Sequence, residues 1–163
     1  MRADILKIVK HVHEIFIEKG LTLSVAESCT GGLISSYLTD LPGASGFFIA
    51  GIVSYSEQAK KGILGVSPVT IRQYGVVSAE TAKEMAERMR VMAKTDYALA
   101  TTGNLGPDVL EGKENGLVYI AASREGRTIG RELRLRGNRN ENKEEAAVSA
   151  LKLLIELSEE RIA

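Results

Sequence analysis

The stretch best suited to chemistry is a polar, glycine-rich segment, Ala26-Glu27-Ser28-Cys29-Thr30-Gly31-Gly32. It lies between an apolar run at 21–25 and a helical pattern that begins at Leu33. A strand that passes through such a turn into a helix brings hydroxyl and backbone N–H groups to one helix N-terminus, where an anion can be held. The same residues also suit an ordinary structural turn, because Ser and Thr are preferred N-caps and Gly-Gly relaxes any tight turn.

Three further turns at the ends of predicted elements carry polar groups. They contain Tyr55 and Lys60, Thr102 with Gly103 and Gly106, and Gly137 with Arg139. Ligands of open α/β folds bind at the ends of strands, so these turns are candidates for one site. Each residue alone also has a simple structural interpretation: a solvated helix lysine, a surface arginine or a strand-end threonine cap.

Composition excludes several classes of function. The 163 residues suit one domain, 1–163, and the 21 Lys and Arg residues balance 21 Asp and Glu residues. This balance, with no Trp and 5% aromatic residues, argues against nucleic acid as a partner. No apolar stretch approaches a membrane span and the charged start does not resemble a signal peptide, so we expect a cytoplasmic protein without a membrane partner.

The same composition argues against a metal centre. Cys29 is the only cysteine, which excludes an intrachain disulfide and a cysteine-based zinc site. His11 and His13 are two residues apart and point to different sides of a predicted helix. We therefore expect no metal, and we interpret Cys29 as a small buried residue rather than a nucleophile.

Hydrophobic periodicity predicts an α/β fold. Helices are expected over 2–19, 33–41, 56–62, 67–74, 78–92 and 141–157, and strands over 21–25, 47–55, 96–101, 116–122 and 128–136. The apolar run 47–55 is typical of a central strand, the last two strands should form an antiparallel hairpin, and 108–115 should be a mobile loop. The resulting fold class is a three-layer α/β/α sandwich with a mixed, mostly parallel sheet.

The order of the motifs resembles a known family. A-E-S-C-T-G-G, D-x-P-G-A-S-x-x-F, Y-S-x-x-A-K, L-G-V, G-V-V-S-x-E-T-A-x-x-M-A and T-G-x-x-G-P follow one another as in the CinA C-terminal domain family, over about 21–154. The resemblance implies a nicotinamide mononucleotide deamidase, which forms nicotinic acid mononucleotide and ammonia without a cofactor, and it suggests a homodimer. Larger CinA proteins carry an additional N-terminal domain, for which 163 residues leave no room.

The resemblance also implies roles for individual residues. Ser28 would be the nucleophile and Lys60 the base that takes its proton, which requires a neutral amine with a depressed pKa. Tyr55 and Thr102 would complete a hydrogen-bond path between them, and backbone N–H groups of the Ser28 turn would stabilise an oxyanion. The expected substrate contacts are Thr30, Gly31, Gly32, Gly103 and Arg139. The phosphate is expected at Arg139 and at the helix N-terminus after Gly32, although Asn138 replaces the family's usual Asp before the arginine.

One loop departs from the family pattern. The family commonly reads T-G-I-A-G-P-x-G-G followed by K-P-V-G, whereas residues 102–110 read TGNLGPDVL and residues 113–116 read KENG. The double glycine and the second proline are absent. Two alternatives therefore stay open: a nucleotide-binding or regulatory module without turnover, and a structural partner protein that uses its Met-bearing helix, 78–92, as an interface.

Overall fold

Five strands form one mixed sheet, and helices pack on both of its faces. The structure is a computed structural model and describes residues 1–161. The strands are β1 (Leu23–Glu27), β2 (Phe48–Val53), β3 (Tyr97–Gly103), β4 (Leu117–Arg124) and β5 (Arg127–Arg134). The helices are α1 (Ala3–Lys19), α2 (Leu33–Thr39), α3 (Glu57–Gly62), α4 (Pro68–Tyr74), α5 (Ala79–Ala93) and α6 (Arg139–Glu159). A 3₁₀ turn spans Ala44–Gly46.

The strand order is β2-β1-β3-β4-β5, which confirms the predicted α/β class with an antiparallel hairpin near the C-terminus. β1 pairs in parallel with both β2 and β3, whereas β4 pairs antiparallel with β3 and β5. Four of the five strands therefore run in the same direction, and only β4 runs opposite to them. The reason is that a loop without a crossover helix joins β3 to β4, and such a connection returns the chain antiparallel to the strand it left.

The prediction that the apolar run 47–55 forms a central strand is wrong. β2 lies at the edge of the sheet and pairs only with β1. Ile49 and Val53 are 53% and 47% exposed. An apolar run shows that a strand can be buried, but the number of strands that pair with it depends on distant parts of the chain.

Each face of the sheet has its own core. On one face α1, α2 and α6 pack around Val9, Phe16, Leu38 and Leu151, and on the other α5 packs through Met85 and Met89. The buried methionines confirm their interpretation as core residues, but Met92, predicted on the same helix face, is 45% exposed at the end of α5. The two cores establish the three predicted layers.

Within residues 1–161, no helix is long and apolar enough to cross a lipid bilayer. The same residues contain no group of three or more His, Cys, Asp or Glu side chains that could hold a metal ion. His13 is buried with Nε2 2.9 Å from the Leu38 carbonyl oxygen, and the exposed His11 pairs with Glu159.

A capping box begins α6 and holds the residues that precede it. The Asn138 side chain accepts a hydrogen bond from the Glu141 N–H, and the Glu141 side chain accepts one from the Asn138 N–H. These bonds satisfy two N–H groups that would otherwise lack acceptors at the helix start. Arg139, the first residue of α6, is thereby fixed at the end of a rigid helix.

We predict that Asn138→Ala lowers the free energy of unfolding by about 1 kcal/mol, because the helix loses its N-cap. Asn138→Asp should leave stability nearly unchanged, since a carboxylate accepts the same hydrogen bond. Asn140→Ala, on an exposed residue of the same helical turn, is the matched control. Urea unfolding followed by circular dichroism measures all three, and equal losses for Asn138→Ala and Asn140→Ala would contradict the assignment of the cap.

Candidate active site

The centre of the candidate site is a direct contact between Lys60 and Ser28. The Lys60 Nζ atom lies 2.7 Å from Ser28 Oγ, although the residues are 32 positions apart. Ser28 follows β1, and Lys60 lies in α3 shortly after β2. Because β1 and β2 are parallel neighbours, their carboxyl ends meet at one edge of the sheet and bring the two side chains together. The predicted approach of these side chains is confirmed.

The remaining partners of Lys60 suit a neutral amine. Nζ also lies 2.9 Å from the Ser54 carbonyl oxygen and 3.2 Å from the Tyr55 carbonyl oxygen. A neutral amine can donate its two N–H bonds to these two carbonyl oxygens, and its lone pair would then face Ser28 Oγ. With the amine protonated, Nζ donates to Ser28 Oγ and the Ser28 hydroxyl donates to the Tyr55 carbonyl oxygen at 3.5 Å. Loss of one proton from Lys60 leaves its lone pair facing Oγ, as a general base requires.

Burial also shifts the proton equilibrium of Lys60 toward the neutral form. The side chain is 1% exposed, and burial lowers the pKa of Lys60 from 10.5 to about 8. Negative charge on Cys29, Glu111 and Glu57 opposes this shift in pKa. Burial raises the pKa of Cys29 to about 11, so its thiol is neutral at physiological pH and only the two carboxylates oppose it there. The depressed pKa that the resemblance requires of Lys60 is therefore present.

A buried carboxylate, Glu27, organises the turn that carries Ser28. Its oxygens accept hydrogen bonds from the Thr30 hydroxyl at 2.7 Å, from the Ile34 N–H at 2.9 Å, and from both the N–H and the hydroxyl of Ser35 at 3.0 and 2.8 Å. Glu27 thus occupies the N-terminus of α2 with a negative charge, which the helix dipole favours. No local motif in the sequence signals that Glu27 caps α2, because the carboxylate lies seven residues before the N–H that it caps.

The prediction of a substrate phosphate at the N-terminus of α2 is therefore wrong. The N–H groups of Ile34 and Ser35 already donate to Glu27, and those of Leu33 and Ser36 donate to the carbonyl oxygens of Thr30 and Gly32. A second anion there would meet a carboxylate and find no free donor in the first helical turn. Arg139 remains as the candidate for the phosphate.

The hydrogen-bond path predicted through Tyr55 and Thr102 is present only through the Tyr55 backbone, whose carbonyl oxygen accepts from Ser28 Oγ at 3.5 Å and from Lys60 Nζ at 3.2 Å. The Tyr55 and Thr102 side chains do not link Ser28 to Lys60. The Tyr55 hydroxyl accepts a hydrogen bond from Arg139 Nη2 at 2.9 Å, and only the Tyr55 backbone contacts Lys60. The Thr102 hydroxyl donates to the Val76 carbonyl oxygen at 2.7 Å. No relay is needed, because the amine and the Ser28 hydroxyl are in direct contact. Both side chains nevertheless line the cavity above that contact.

The other predicted substrate contacts lie within or beside the Ser28 turn. Thr30 is fully buried, and its hydroxyl bonds to Glu27 and Thr101. Gly31 and Gly32 have φ values of 59° and 102°, which are strained for residues with a Cβ. Gly103 lines the cavity, and a Cβ on it would lie 2.7 Å from Val118 Cα. Their roles in substrate binding stay predictions.

Three N–H groups of this turn, those of Cys29, Thr30 and Gly32, have no hydrogen-bond acceptor among residues 1–161. They follow or flank the nucleophile position, where donors for a tetrahedral oxyanion are needed. By contrast, the Ser28 N–H donates to the Thr101 carbonyl oxygen at 3.1 Å, which fixes Ser28 at the end of β1.

A cavity of about 350 Å³ opens directly onto the Ser28–Lys60 contact. Its lining residues are Ser28, Tyr55, Ser56, Glu57, Lys60, Val76, Val77, Thr102, Gly103, Leu110 and Glu111. Arg139 lies at its edge, since the guanidinium donates to the Tyr55 hydroxyl and, at 2.7 Å, to the Gly106 carbonyl oxygen. The cavity thus combines a nucleophile, a base, a partly apolar wall and an arginine.

The loop between β3 and β4 forms one wall of this cavity and is held by its own side chains. Asn104 is buried. Its side-chain NH₂ group donates to the backbone carbonyl oxygens of Leu110 and Lys113. Its side-chain oxygen accepts a hydrogen bond from the Leu110 N–H. Glu111 accepts hydrogen bonds from the N–H groups of Val76 and Val77, both at 3.0 Å. These hydrogen bonds hold the loop against Val76 and Val77, in the segment before α5.

Asn142 is a further positioning residue that sequence reasoning missed. Its buried side chain accepts from the Gly137 N–H and donates to the Leu105 carbonyl oxygen at 3.1 Å. It joins the start of α6, and hence Arg139, to the loop after β3. No local sequence signal identifies it, since Leu105 is 37 residues away.

A larger cavity of about 760 Å³ lies between α5 and the β4–β5 turn. Charged side chains such as Lys83, Glu87 and Arg127 dominate its lining, and it contains none of the predicted site residues. It is also more open to solvent. Because the smaller cavity holds the nucleophile and base, we take that one as the candidate active site.

The comparisons with known proteins agree with this architecture. The model of the CinA C-terminal domain matches residues 5–158. A competence-damage inducible protein of Acetivibrio thermocellus is 54% identical over 128 residues, which cover 78% of this chain and 31% of that protein. Its counterpart in Desulforamulus reducens is 46% identical over 147 residues, 90% of this chain and 36% of that protein. The chain spans about a third of the length of these curated relatives.

Solved structures extend the likeness to the whole fold. The competence/damage inducible protein CihA from Agrobacterium tumefaciens has a TM-score of 0.94 at 34% identity, and the alignment covers 98% of both chains. A CinA superfamily protein from Escherichia coli has a TM-score of 0.91 at 32% identity, covering 96% of this chain and 94% of that one. With its motif order, its fold and nearly all of its length matched, the chain belongs to the CinA C-terminal domain family.

Proposed function

We propose that this domain hydrolyses the carboxamide of nicotinamide mononucleotide to give nicotinic acid mononucleotide and ammonia. The observation that carries the proposal is the 2.7 Å contact between Lys60 Nζ and Ser28 Oγ at the base of the cavity. The substrate follows from the family resemblance. The proposed reaction needs only groups of the protein and water. The homodimer stays an expectation of the family resemblance, and the cytoplasmic location stays an expectation from the composition.

In the first step, neutral Lys60 takes the proton of Ser28 as Oγ bonds to the carboxamide carbon. The carbonyl electron pair moves onto oxygen and gives a tetrahedral oxyanion, for which the N–H groups of Cys29, Thr30 and Gly32 are the candidate donors. The carbon–nitrogen bond then breaks, the Lys60 ammonium returns its proton to the leaving nitrogen, and ammonia departs from an acyl-Ser28 intermediate.

The second half of the reaction releases the acid. Lys60, again neutral, takes a proton from water as the water oxygen bonds to the acyl carbon. The bond to Ser28 Oγ breaks, and Lys60 protonates the serine oxygen. One water is consumed, and the products are a carboxylic acid and ammonia. The carbonyl oxygens of Ser54 and Tyr55 hold the lysine in place through both halves.

Arg139 is the proposed ligand for the nucleotide phosphate. Its guanidinium is exposed at the edge of the cavity, and its two terminal nitrogens are oriented by the Tyr55 hydroxyl and the Gly106 carbonyl oxygen. A guanidinium presents several donors in one plane and binds phosphate in bidentate fashion. The phosphate would thus lie at the rim while the carboxamide reaches Ser28.

We predict that Ser28→Ala and Lys60→Met each lower kcat/KM for nicotinamide mononucleotide by at least about 10³-fold, because either change removes the nucleophile–base pair. Ammonia release measures the reaction. Lys61→Met is the matched control, since Lys61 is next in sequence but pairs with Glu57 at the surface, and it should retain activity. Activity in Ser28→Ala equal to that of the wild type would exclude the acyl-serine mechanism.

The alternative of a binding module without turnover gives a different result in the same assay. The departure that favours it is the loop wall, where Leu110 and Glu111 line the cavity in place of a glycine-rich segment. Calorimetric binding of the nucleotide by the wild type, with no ammonia released over hours, would support the module and contradict the deamidase.

We predict that kcat/KM rises with pH through an apparent pKa near 8, the value that burial gives Lys60. The rate constant rises with pH because Lys60 carries a proton below this pKa and cannot accept another. Above this pKa the amine is a base. Initial rates across the pH range measure the profile. A rate that falls over the interval in which Lys60 loses its proton would contradict its role as base.

We predict that Arg139→Ala raises KM for the nucleotide by roughly 10- to 100-fold, as expected when a hydrogen-bonded charged partner is lost. The corresponding nucleoside lacks the phosphate, so its kinetic constants should hardly change. Arg136→Ala, an exposed arginine three residues earlier, is the control. Equal effects of Arg139→Ala on nucleotide and nucleoside would show that Arg139 only supports the fold.

A further inference from the structure

Two carboxylates line the cavity together with the proposed nucleophile and base. Glu57 extends from the first turn of α3 and Glu111 from the loop between β3 and β4. Neither residue has a role in the acyl transfer described above. Their presence is unexpected for a site that receives a phosphorylated ligand, because a carboxylate repels a phosphate.

Glu111 is held in a fixed position at the cavity wall. Its two oxygens accept hydrogen bonds from the N–H groups of Val76 and Val77, both at 3.0 Å, and Lys113 Nζ lies 3.6 Å away. Its side chain is 31% exposed, compared with 56% for Glu57. Glu57 is also paired with Lys61 at 3.6 Å. Glu111 is therefore the more buried and better ordered negative charge.

The charges of the cavity are divided between its two ends. Arg139 lies at the edge, beside the Tyr55 hydroxyl, whereas Glu111 lies on the wall formed with Val76 and Val77. The field of Glu111 reaches the reacting groups, since it raises the pKa of Lys60 against the effect of burial. A ligand with an anionic end and a cationic end would meet a charge of opposite sign at each.

The proposed substrate has this distribution of charge. Its phosphate is anionic, and its nicotinamide ring is a pyridinium cation. A cationic ring that approaches Ser28 also approaches Lys60, which is partly protonated at neutral pH, and a nearby carboxylate offsets that repulsion. The apolar side chains of Val76, Val77 and Leu110 supply contact area for the ring itself.

We propose that Glu111 recognises the positive charge of the pyridinium ring, so that the site selects cationic over neutral nicotinamide rings. This inference rests on the proposed function for the identity of the ligand. It assigns to Glu111 a role in specificity, whereas Ser28 and Lys60 perform the chemistry. The loop that departs from the family pattern is thereby part of substrate recognition.

The test compares two ligands that differ in ring charge. Nicotinamide mononucleotide has a cationic ring, and its 1,4-dihydro form has the same phosphate and carboxamide on a neutral ring. Dissociation constants for both are measured by calorimetry on the Ser28→Ala protein, in which turnover is absent. We expect the Ser28→Ala protein to bind the cationic ligand more tightly, and the added Glu111→Gln change to reduce that preference by about tenfold.

Glu111→Gln removes the charge but keeps an oxygen that can accept a hydrogen bond from the 76–77 backbone. Glu114→Gln is the matched control, because Glu114 lies in the same loop, pairs with Arg134 and does not line the cavity. It should leave both dissociation constants unchanged. Equal weakening of the two ligands by Glu111→Gln, or no change in their ratio, would overturn the proposal and leave Glu111 as an anchor of the loop.

Failure of this inference is distinguishable from failure of the proposed function. Charge-selective binding that depends on Glu111, with no ammonia released by the wild type, would support the inference and contradict the deamidase. Ammonia release by the wild type, with an unchanged ratio of dissociation constants in Glu111→Gln, would support the deamidase and contradict the role of Glu111. No binding of either nucleotide to the Ser28→Ala protein would overturn the assignment of Glu111.

Discussion

The site depends on the burial of one amine without an ion-pair partner. Moving a lysine ammonium out of water costs several kcal/mol unless a carboxylate compensates it. The hydrogen-bond partners of Lys60 within residues 1–161 are instead two carbonyl oxygens and the Ser28 hydroxyl. A carboxylate in contact would hold the proton on the amine, whereas these partners fit its neutral form. The unfavourable burial is therefore what makes Lys60 a base.

The rest of the fold keeps the two partners of that contact in place. Parallel pairing of β1 with β2 sets the distance between the segments that carry Ser28 and Lys60. Glu27, fully buried, ties the Ser28 turn to the start of α2 through four hydrogen bonds. Because a buried carboxylate without donors would be costly, the turn has little freedom to adopt another conformation. The result is a rigid serine hydroxyl next to a buried amine.

How much could be predicted from the sequence depends on the range of each interaction. The bounds of α1 and α5 and the β4–β5 hairpin follow from periodicity and from turn residues, which are local. The edge position of β2 does not, because pairing partners are distant in the chain. Motif order identified Ser28 and Lys60, but the direction of the Tyr55 hydroxyl was missed, because its partner Arg139 is 84 residues away.

The loop after β3 is the part of the candidate site where this chain departs from the family pattern. Where the family pattern has glycines and a second proline, this chain has side chains that fasten the loop, with Asn104 bonded inside it and Lys113 donating to the Tyr74 carbonyl oxygen. The same fastening brings the charge of Glu111 to the cavity wall. Under the proposed function, this loop contributes to recognition of the ring, whereas Ser28 and Lys60 perform the chemistry.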